Sequence, residues 1–531
     1  MRKNRLKRLI WLGVVLLFAA LFVGVMATLA QIVIFTGTGA NRASALNLVP
    51  ALPPDLEQRV TWLADAPTID GQRPLEPVVR QQMTGAYMRG LAEMAISYEL
   101  RKPYGLATYF GGPALVQVTD AVSASVAAGL DLRQSSLSHA LQLTFYADDG
   151  AVAAFRDTAA RVVQQVTDRA SGQGQVIVQE SVYDVVMFLE DGNWRIRAWR
   201  RVGAAEPAPA QLGGLPGRVQ VAGNELVADG QPYRVAGVNY YPSATPWTLF
   251  WPNYAPEQTA TDLAAARQLG VNTVRIFVPY TDFGGAEVDP AMMAHLRDFL
   301  DQAYAQGLRV VVTLFDHRTD HAIANWTEDE THLAGLIPPL AWHPAILAWD
   351  IKNEADRDAP LNGKTLNEAW LRQMIAQVRS HDPNHLVTIG WSSPAAASAL
   401  ADVVDYVTFH YYGAAADYAE QVQKLVESTP DKPLVLGEFG SSSWQWLRPG
   451  RLGEESQADY LSDLLQTQRL MTRQRGWPMA GEMVWTLYDF TEVPLAEFRL
   501  PWRKAQQANM GLLRSNGSWK PAAEIIASNS R

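Results

Sequence analysis

Cysteine is missing from the whole chain of 531 residues. Disulfide bonds, thiolate zinc sites, a cysteine nucleophile and an anchor carried on a lipidated cysteine are therefore excluded. The absence does not fix the cellular compartment, because an exported protein can also be stabilised by core packing alone.

Broad basic patches are missing as well. The formal net charge is −9, and the one basic run comprises Arg2, Lys3, Arg5, Lys7 and Arg8 at the N-terminus. Nucleic-acid binding needs a basic surface that follows the phosphate backbone. We therefore expect no nucleic-acid partner.

Ionised side chains are absent from residues 9–35, an apolar run directly behind those cations. Roughly 20 apolar residues are enough to cross a bilayer, and the run is longer than the apolar core of a signal peptide. The positive-inside rule then places the N-terminus in the cytoplasm and the rest of the chain outside the cell. A signal peptide cleaved after Ala30 is the alternative, but the apolar run continues through residues 32–35, which favours a retained membrane anchor.

The length predicts two or three domains. A stretch rich in alanine, proline and glycine separates two soluble parts of different texture and is typical of a linker. The predicted layout is a basic flank with a transmembrane anchor (1–36), a tether (37–54), a first domain (55–203), a linker (204–217) and a second domain (218–531).

The first soluble domain is predicted to be an α+β unit. Helical periodicity runs through residues 77–100, and alternating patterns at 139–145, 176–189 and 194–202 predict strands. Asp191-Gly192-Asn193 is a hairpin turn signal. The apolar face of the helix is predicted from Val78, Met83, Tyr87, Leu91 and Met94.

Residues 188–196 resemble the last hairpin of NTF2-like (SnoaL-like) domains, and the resemblance covers residues 55–203. Such folds serve both as enzymes and as passive binding or spacer modules. The sequence shows no convergent histidine and aspartate set here, so a non-catalytic domain is expected.

Eight apolar segments in the second domain alternate with helical stretches, which predicts parallel strands closed into a (β/α)8 TIM barrel of the α/β class. A doubly wound open sheet would favour a glycine-rich phosphate turn after the first strand, and none is present. The predicted strands are residues 235–239, 273–277, 309–314, 346–351, 386–389, 406–409, 434–436 and 483–485.

Polar or large aromatic residues stand at the carboxyl ends of these strands, where a TIM barrel carries its chemistry. Each alone can be explained by packing, but their concentration on one rim indicates a functional site. Two glutamates on different strands of one barrel suit double-displacement glycoside hydrolysis. The set is Asn239, Arg275, Asp316, His317, Asn353, Glu354, His410, Tyr412, Glu438 and Trp485.

These motifs together resemble glycoside hydrolase family 5, the cellulase family of retaining TIM-barrel glycosidases, over residues 218–530. Asn353-Glu354 follows strand four, His410-Tyr411-Tyr412 follows strand six, and residues 437–440 (Gly-Glu-Phe-Gly) follow strand seven. Ala355 stands where the family usually has proline. Residues 382–388 are similar to the mannanase-like members.

The resemblance implies roles for the individual residues. Glu354 would protonate the leaving oxygen and Glu438 would attack the anomeric carbon, while Arg275 keeps Glu438 ionised. Asn353 would bind the sugar 2-hydroxyl. Tyr412 would orient Glu438, His410 would brace the pair and Trp485 would lie under the sugar; Asn239 and His317 complete the predicted substrate contacts. Further subsites are expected at Trp247, Trp251, Trp326, Trp444 and Trp446, and neither a metal nor another cofactor is needed.

The sequence thus predicts a surface-anchored hydrolase of β-mannan or β-glucan that takes an oligo- or polysaccharide substrate. A transglycosylase would use the same glutamates with a sugar as acceptor. Two alternatives come from other functional classes. One is a non-catalytic carbohydrate-binding surface protein, and the other is a scaffold whose first domain binds a partner. The presence of both glutamates favours the enzyme.

Overall fold

A computed structural model describes residues 56, 58–66, 74–204, 217–445, 450–494, 498 and 500–529. The predicted anchor and tether and most of the predicted linker lie outside these residues. Among the helices that are described, none combines the length and apolar character needed to cross a bilayer. The chain divides into two compact units, one mainly of residues up to Ala205 and the other mainly from Glu206 onward.

The described residues up to 204 form an α+β structure whose five strands, numbered along the chain from β1 to β5, make one sheet in that same order. The predicted helix is present, and its first residue is a proline, which suits the first turn because the missing N–H has no helical partner there. Val78 does not belong to the buried face, since it is 58% exposed. The elements are β1 Val60–Trp62, helices Pro77–Glu99 and Gly112–Ala127, β2 Leu130–Tyr146, β3 Val152–Asp168, β4 Gly174–Glu190 and β5 Asn193–Ala204.

The sequence predicted the last hairpin of this sheet but not its central strand. The predicted hairpin joins β4 to β5, and Asp191 and Gly192 at its turn have φ of 50° and 78°, the left-handed values that a tight hairpin requires. Strand β3 was not predicted. It lies between β2 and β4, and alternation shows mainly at its start, where Ala153, Phe155 and Asp157 are buried.

The second unit is a TIM-barrel-like α/β structure whose parallel sheet runs in the order β13-β12-β11-β10-β9-β17-β16-β15-β14. All eight predicted strands are present, but the fifth is interrupted. Its first piece pairs with β12 and its second with β15, so consecutive pieces of one strand form both ends of the sheet. The barrel strands are β9 Val235–Asn239, β10 Thr273–Pro279, β11 Arg309–Asp316, β12 Ile346–Asp350, β13 Leu386–Thr388, β14 Gly390–Trp391, β15 Val407–Tyr411, β16 Leu434–Phe439 and β17 Met479–Val484.

Helices and a small antiparallel sheet surround this barrel. A hairpin with a third short strand lies at the start of the domain. These strands are β6 Val219–Ala222, β7 Glu225–Ala228 and β8 Gln231–Pro232, and the helices are Pro256–Gln268, Pro290–Ala305, Trp326–Leu336, Ala359–Asn362, Lys364–His381, Tyr418–Ser428, Arg451–Arg475, Pro501–Ala508 and Pro521–Asn529.

Burial explains the apolar strand composition. Every residue of β10, β12 and β16 is buried, as expected for parallel strands covered on both faces. Two strand-end assignments need correction: Arg275 lies in the middle of β10, which continues to Pro279, and Trp485 follows the last residue of β17. Because the strands are parallel, the polar residues at their carboxyl ends still share one rim.

Candidate active site

Arg275 lies at the centre of the polar network inside this rim and is completely buried. Its guanidinium donates to Asp350 Oδ2 from Nε at 3.0 Å and from Nη2 at 2.7 Å. Nη1 donates to Asn239 Oδ1 at 3.0 Å and to Glu438 Oε1 at 2.5 Å, and Nη2 also reaches Asn353 Oδ1 at 3.1 Å. Burial opposes the charge, but the two carboxylates outweigh it and raise the pKa of Arg275.

Asp350 is a member of this network that sequence reasoning missed. Besides Arg275, it accepts from Thr313 Oγ1 at 2.9 Å and from the backbone N–H of Gly390 at 2.8 Å. Strand register sets these contacts, since Asp350 is the direct neighbour of Thr313 across β11 and β12. The available signal was a carboxylate inside an otherwise apolar strand, which needs a buried partner.

Glu438 projects into the site from β16. Its Oε2 accepts from the Tyr412 hydroxyl at 2.9 Å and lies 3.5 Å from His410 Nδ1. His410 and Glu438 are register neighbours across β15 and β16, next to a register shift. Glu438 is 5% exposed, so Arg275 and Tyr412 define the orientation of its carboxylate.

Glu354 occupies a left-handed backbone conformation, with φ 47° and ψ 50°. For a residue other than glycine such a conformation costs about 1–3 kcal/mol and recurs at functional sites. Ala355, at the position where proline is usual, starts the 3-10 turn Ala355–Asp358 and is buried. Its carbonyl accepts from Asn367 Nδ2 at 3.0 Å, so Asn367 stabilises the turn in the absence of the proline.

The ionisation of Glu354 is set by opposing effects. Burial favours the neutral acid, but the hydrogen bond and charge of His410, with Arg357 and Arg275, outweigh burial and lower the pKa of Glu354. His410 Nδ1 lies 3.4 Å from Glu354 Oε1, and Arg357 Nε lies 2.8 Å from Oε2. These contacts therefore favour the ionised form of Glu354 over the protonated acid.

Glu354, His410 and Glu438 converge closely: one carboxylate oxygen or ring nitrogen of each lies within 4.8 Å of the others. Such donors also suit a divalent cation. Here, however, Glu438 already pairs with the buried cation Arg275, and a second cation beside it would be repelled. The cluster is better suited to acid–base and nucleophilic chemistry.

A cavity of ≈ 600 Å³ opens over the two glutamates. Asn353, Glu354, Tyr412, Glu438 and Trp485 line it as predicted, and so does Trp247, whose ring centroid is 6.2 Å from that of Trp485. The two indoles provide apolar surface for a sugar ring. Sequence reasoning missed five lining residues that come from other parts of the domain: Arg357, Phe498, Arg503, Gln507 and Met510.

Four residues predicted to bind substrate do not line this cavity: Asn239, Arg275, His317 and His410. Asn239 is fully buried and donates to the Gly437 carbonyl at 2.9 Å, so it positions Arg275 from below. His317 has φ 62°, and its side chain is 40% exposed and lies 3.4 Å from Asp316.

The other predicted tryptophan subsites divide into three groups. Trp251 and Trp326 are fully buried and donate their indole N–H to the carbonyls of Phe277 and His321 at 2.7 and 2.9 Å. They therefore belong to the core.

Trp444 lines a second cavity of ≈ 350 Å³ rather than the cleft over the glutamates. Trp446 lies outside the described residues.

The first unit contains a convergent histidine and aspartate pair, contrary to the sequence analysis. His139 Nδ1 lies 2.6 Å from Asp157 Oδ2, and the Tyr87 hydroxyl donates to the same oxygen at 2.9 Å. All three residues are almost fully buried, which makes the cluster a structural network. It was missed because a helix and two neighbouring strands bring together residues far apart in sequence.

The parallel barrel and the paired glutamates define the class of the second unit. Residues 226–477 match the model of the cellulase family (glycosyl hydrolase family 5). This part of the chain is therefore similar to glycoside hydrolase family 5, and the prediction of a glycoside hydrolase is confirmed.

Individual proteins are also similar to this chain over part of its length. The chain is 24% identical to mannan endo-1,4-beta-mannosidase 1 of Oryza sativa subsp. japonica, covering 52% of this chain and 79% of the relative. It is 27% identical to mannan endo-1,4-beta-mannosidase 3 of Solanum lycopersicum, covering 42% of this chain and 61% of the relative. A solved exo-beta-1,4-mannosidase from an Opitutaceae bacterium is 20% identical, covers 60% of this chain and 61% of that chain, and superposes with a TM-score of 0.48.

Proposed function

We propose that this chain is a retaining glycoside hydrolase that cleaves β-linked polysaccharide of the β-mannan or β-glucan type and is held at the cell surface by its N-terminal segment. The observation that carries the proposal is the approach of carboxylate oxygens of Glu354 and Glu438 to within 4.8 Å. Retaining pairs lie about 5–5.5 Å apart, whereas inverting pairs need roughly 6.5–9.5 Å to admit a water. The mannan-cleaving relatives support a β-mannan substrate.

In the first step, a Glu438 oxygen bonds to the anomeric carbon as the glycosidic C–O bond breaks, and Glu354 gives its proton to the departing oxygen. Arg275 and Tyr412 hold Glu438 in line for attack. Asn353 Oδ1 already accepts from Arg275, so its Nδ2 is left to donate to the sugar 2-hydroxyl.

In the second step, Glu354 removes a proton from water and the water oxygen bonds to the anomeric carbon. The ester bond to Glu438 breaks, which restores the Glu438 carboxylate and the protonated Glu354. Two inversions give net retention of the anomeric configuration.

Product stereochemistry tests this mechanism. Proton NMR of the earliest products from β-mannan and β-glucan oligosaccharides is expected to show the β-anomer before mutarotation. An α-anomer as first product would contradict the retaining pair. Lack of cleavage across neutral and anionic β-linked glycans would favour the carbohydrate-binding alternative, and products longer than the substrate would indicate transglycosylation.

Membrane topology is tested separately. We expect protease added to intact cells, or to protoplasts where a wall intervenes, to degrade the barrel, because the cations before residues 9–35 favour a cytoplasmic N-terminus. The readout is an immunoblot for the barrel, with a cytoplasmic protein as control. Protection of the barrel in intact protoplasts, with degradation only after the membrane is permeabilised, would contradict this topology. A soluble form starting near Gln31 would show a cleaved signal.

A further inference from the structure

The cleft contains more positive charge than the proposed chemistry uses. Arg275 is committed to Asp350 and Glu438 beneath the cavity. Two other arginines, Arg357 and Arg503, line the cavity itself. Neither is needed to hold the nucleophile, so the reason for their presence lies elsewhere.

Arg503 reaches the cavity from the helix Pro501–Ala508. Gln507 lines the same cavity four residues later, which is the spacing of one helical face. Within the part of the chain that the structure describes, Arg503 has no carboxylate partner. An exposed guanidinium that faces a substrate cavity, with no acid bound to it among the described residues, is available to bind an anion.

Arg357 is also available, although it has a partner. Its side chain is 67% exposed, and its only ion-pair partner among the described residues is Glu354, the proposed acid. This pair stabilises the ionised form of Glu354, which is the wrong form for protonating a leaving group. For a neutral substrate the contact therefore opposes the first step.

The charge balance of the loaded cleft also favours an anionic substrate. Arg275 offsets the charge of Glu438, and Glu354 must be neutral when it donates its proton. Among the residues that the structure describes, Arg357 and Arg503 then have no compensating charge in this cavity. An anionic group on the substrate would supply that charge, and the planar guanidinium fork is well matched to a carboxylate.

We infer that the cleft accepts a β-linked glycan in which a uronosyl carboxylate lies beside the scissile bond and is bound by Arg357 and Arg503. This inference rests on the proposed glycosidase function and specifies its substrate class. The bound carboxylate draws Arg357 away from Glu354, so that substrate binding itself leaves the acid free to take up its proton. Recognition of the anion and activation of the acid are thereby coupled.

The first experiment compares matched substrates on the full-length protein. The primary hydroxyls of one β-mannan and one β-glucan are oxidised to carboxylates, and a portion of each product is converted to its methyl ester. The expected kcat/KM is at least about 10-fold higher for the carboxylate form than for its ester, with a ratio that falls as salt screens the charge. A sulfated glycan of the same backbone distinguishes carboxylate recognition from general attraction of anions.

Variants assign the effect to residues. Arg503→Gln should reduce the preference for the carboxylate form several-fold relative to wild type. Lys504→Gln is the matched control, because Lys504 is an exposed cation on the same helix that does not line the cavity, and it should leave the preference unchanged. Equal effects of the two variants, or a sulfated glycan preferred over the carboxylate form, would overturn the inference.

A pH profile tests the coupling. Glu354 is faced by His410, Arg357, Arg275, Glu438 and Tyr412. Removing the Arg357 charge raises the pKa of Glu354, so Arg357→Gln should move the alkaline limb of kcat/KM for a neutral substrate to higher pH. For the wild-type protein acting on the carboxylate glycan, the alkaline limb of kcat should lie at higher pH than that of kcat/KM. The reason is that Arg357 is neutralised only in the enzyme–substrate complex.

The outcomes separate this inference from the function on which it rests. Two results would overturn the inference but leave the proposed glycosidase function standing. One is hydrolysis of neutral glycans with no preference for the carboxylate form, and the other is an alkaline limb of kcat/KM that Arg357→Gln does not shift. A properly folded wild-type protein that cleaves neither form would remove the proposed function itself.

Discussion

Glu438→Gln is expected to abolish turnover of every substrate, natural or activated, by roughly 10⁴- to 10⁶-fold, the range seen when a covalent nucleophile is removed. The fold should persist, because glutamine has the same shape and can still accept from Arg275, which keeps Asp350 as its counter-ion. The measurements are kcat/KM and the thermal unfolding midpoint.

Glu354→Gln should behave differently. Polysaccharide cleavage is expected to fall by roughly 10²- to 10⁴-fold, the usual contribution of a general acid. A substrate whose leaving group needs no proton should still form the glycosyl-enzyme, which then accumulates because no base activates water. Intact-protein mass spectrometry should detect the added sugar in Glu354→Gln and none in Glu438→Gln.

Glu482→Gln provides the matched control. Glu482 is a buried glutamate on β17, bonded to Arg234 and Gln468 rather than lining the cleft. Its substitution should leave kcat unchanged at temperatures where the variant is folded. Full activity of Glu438→Gln, or a glycosyl adduct on that variant, would contradict the assignment of the nucleophile.

Arg275→Lys is expected to reduce both stability and activity. Lysine retains the positive charge but loses the planar fork that joins Asp350 and Glu438. The free energy of unfolding should fall by about 2–4 kcal/mol, since Asp350 remains buried with poorer pairing. Because Glu438 loses its fixed orientation, kcat/KM should fall by roughly 10²- to 10³-fold.

Arg234→Lys is the corresponding control. Arg234 lies just before the start of β9 and pairs with buried Glu482. The catalytic side of the barrel is at the other end of β9, where Asn239 is the last residue. This variant should lower stability without a comparable loss of kcat/KM at a temperature where it remains folded. If Arg275→Lys retained wild-type kcat/KM, the role of Arg275 in positioning Glu438 would be wrong.

Local composition was sufficient to locate the barrel strands and both glutamates. A parallel strand covered on two faces must be apolar, so the point where an apolar run stops marks the end of a strand. Residues 345–351 and 433–436 show this stop just before Glu354 and Glu438. The same logic placed Asn353 and Trp485 at the cleft.

A strand that lacks this apolar pattern could not be predicted in the same way. In the first unit, β3 carries polar residues along much of its length and is specified by pairing with β2 and β4 rather than by its own periodicity. The buried contact of His139 with Asp157 depends on that pairing. It was therefore invisible until the sheet was known.

The sequence by itself determined the barrel strands of the second domain and the placement of Glu354 and Glu438 after two of them, because these depend on burial and strand periodicity. Only the tertiary structure decided that Arg275 shares its guanidinium between Asp350 and Glu438, which are 75 and 163 residues away. It also brought Arg357 and Arg503 to the same cavity. Strand register and loop packing set such contacts, and neither leaves a local pattern in the chain.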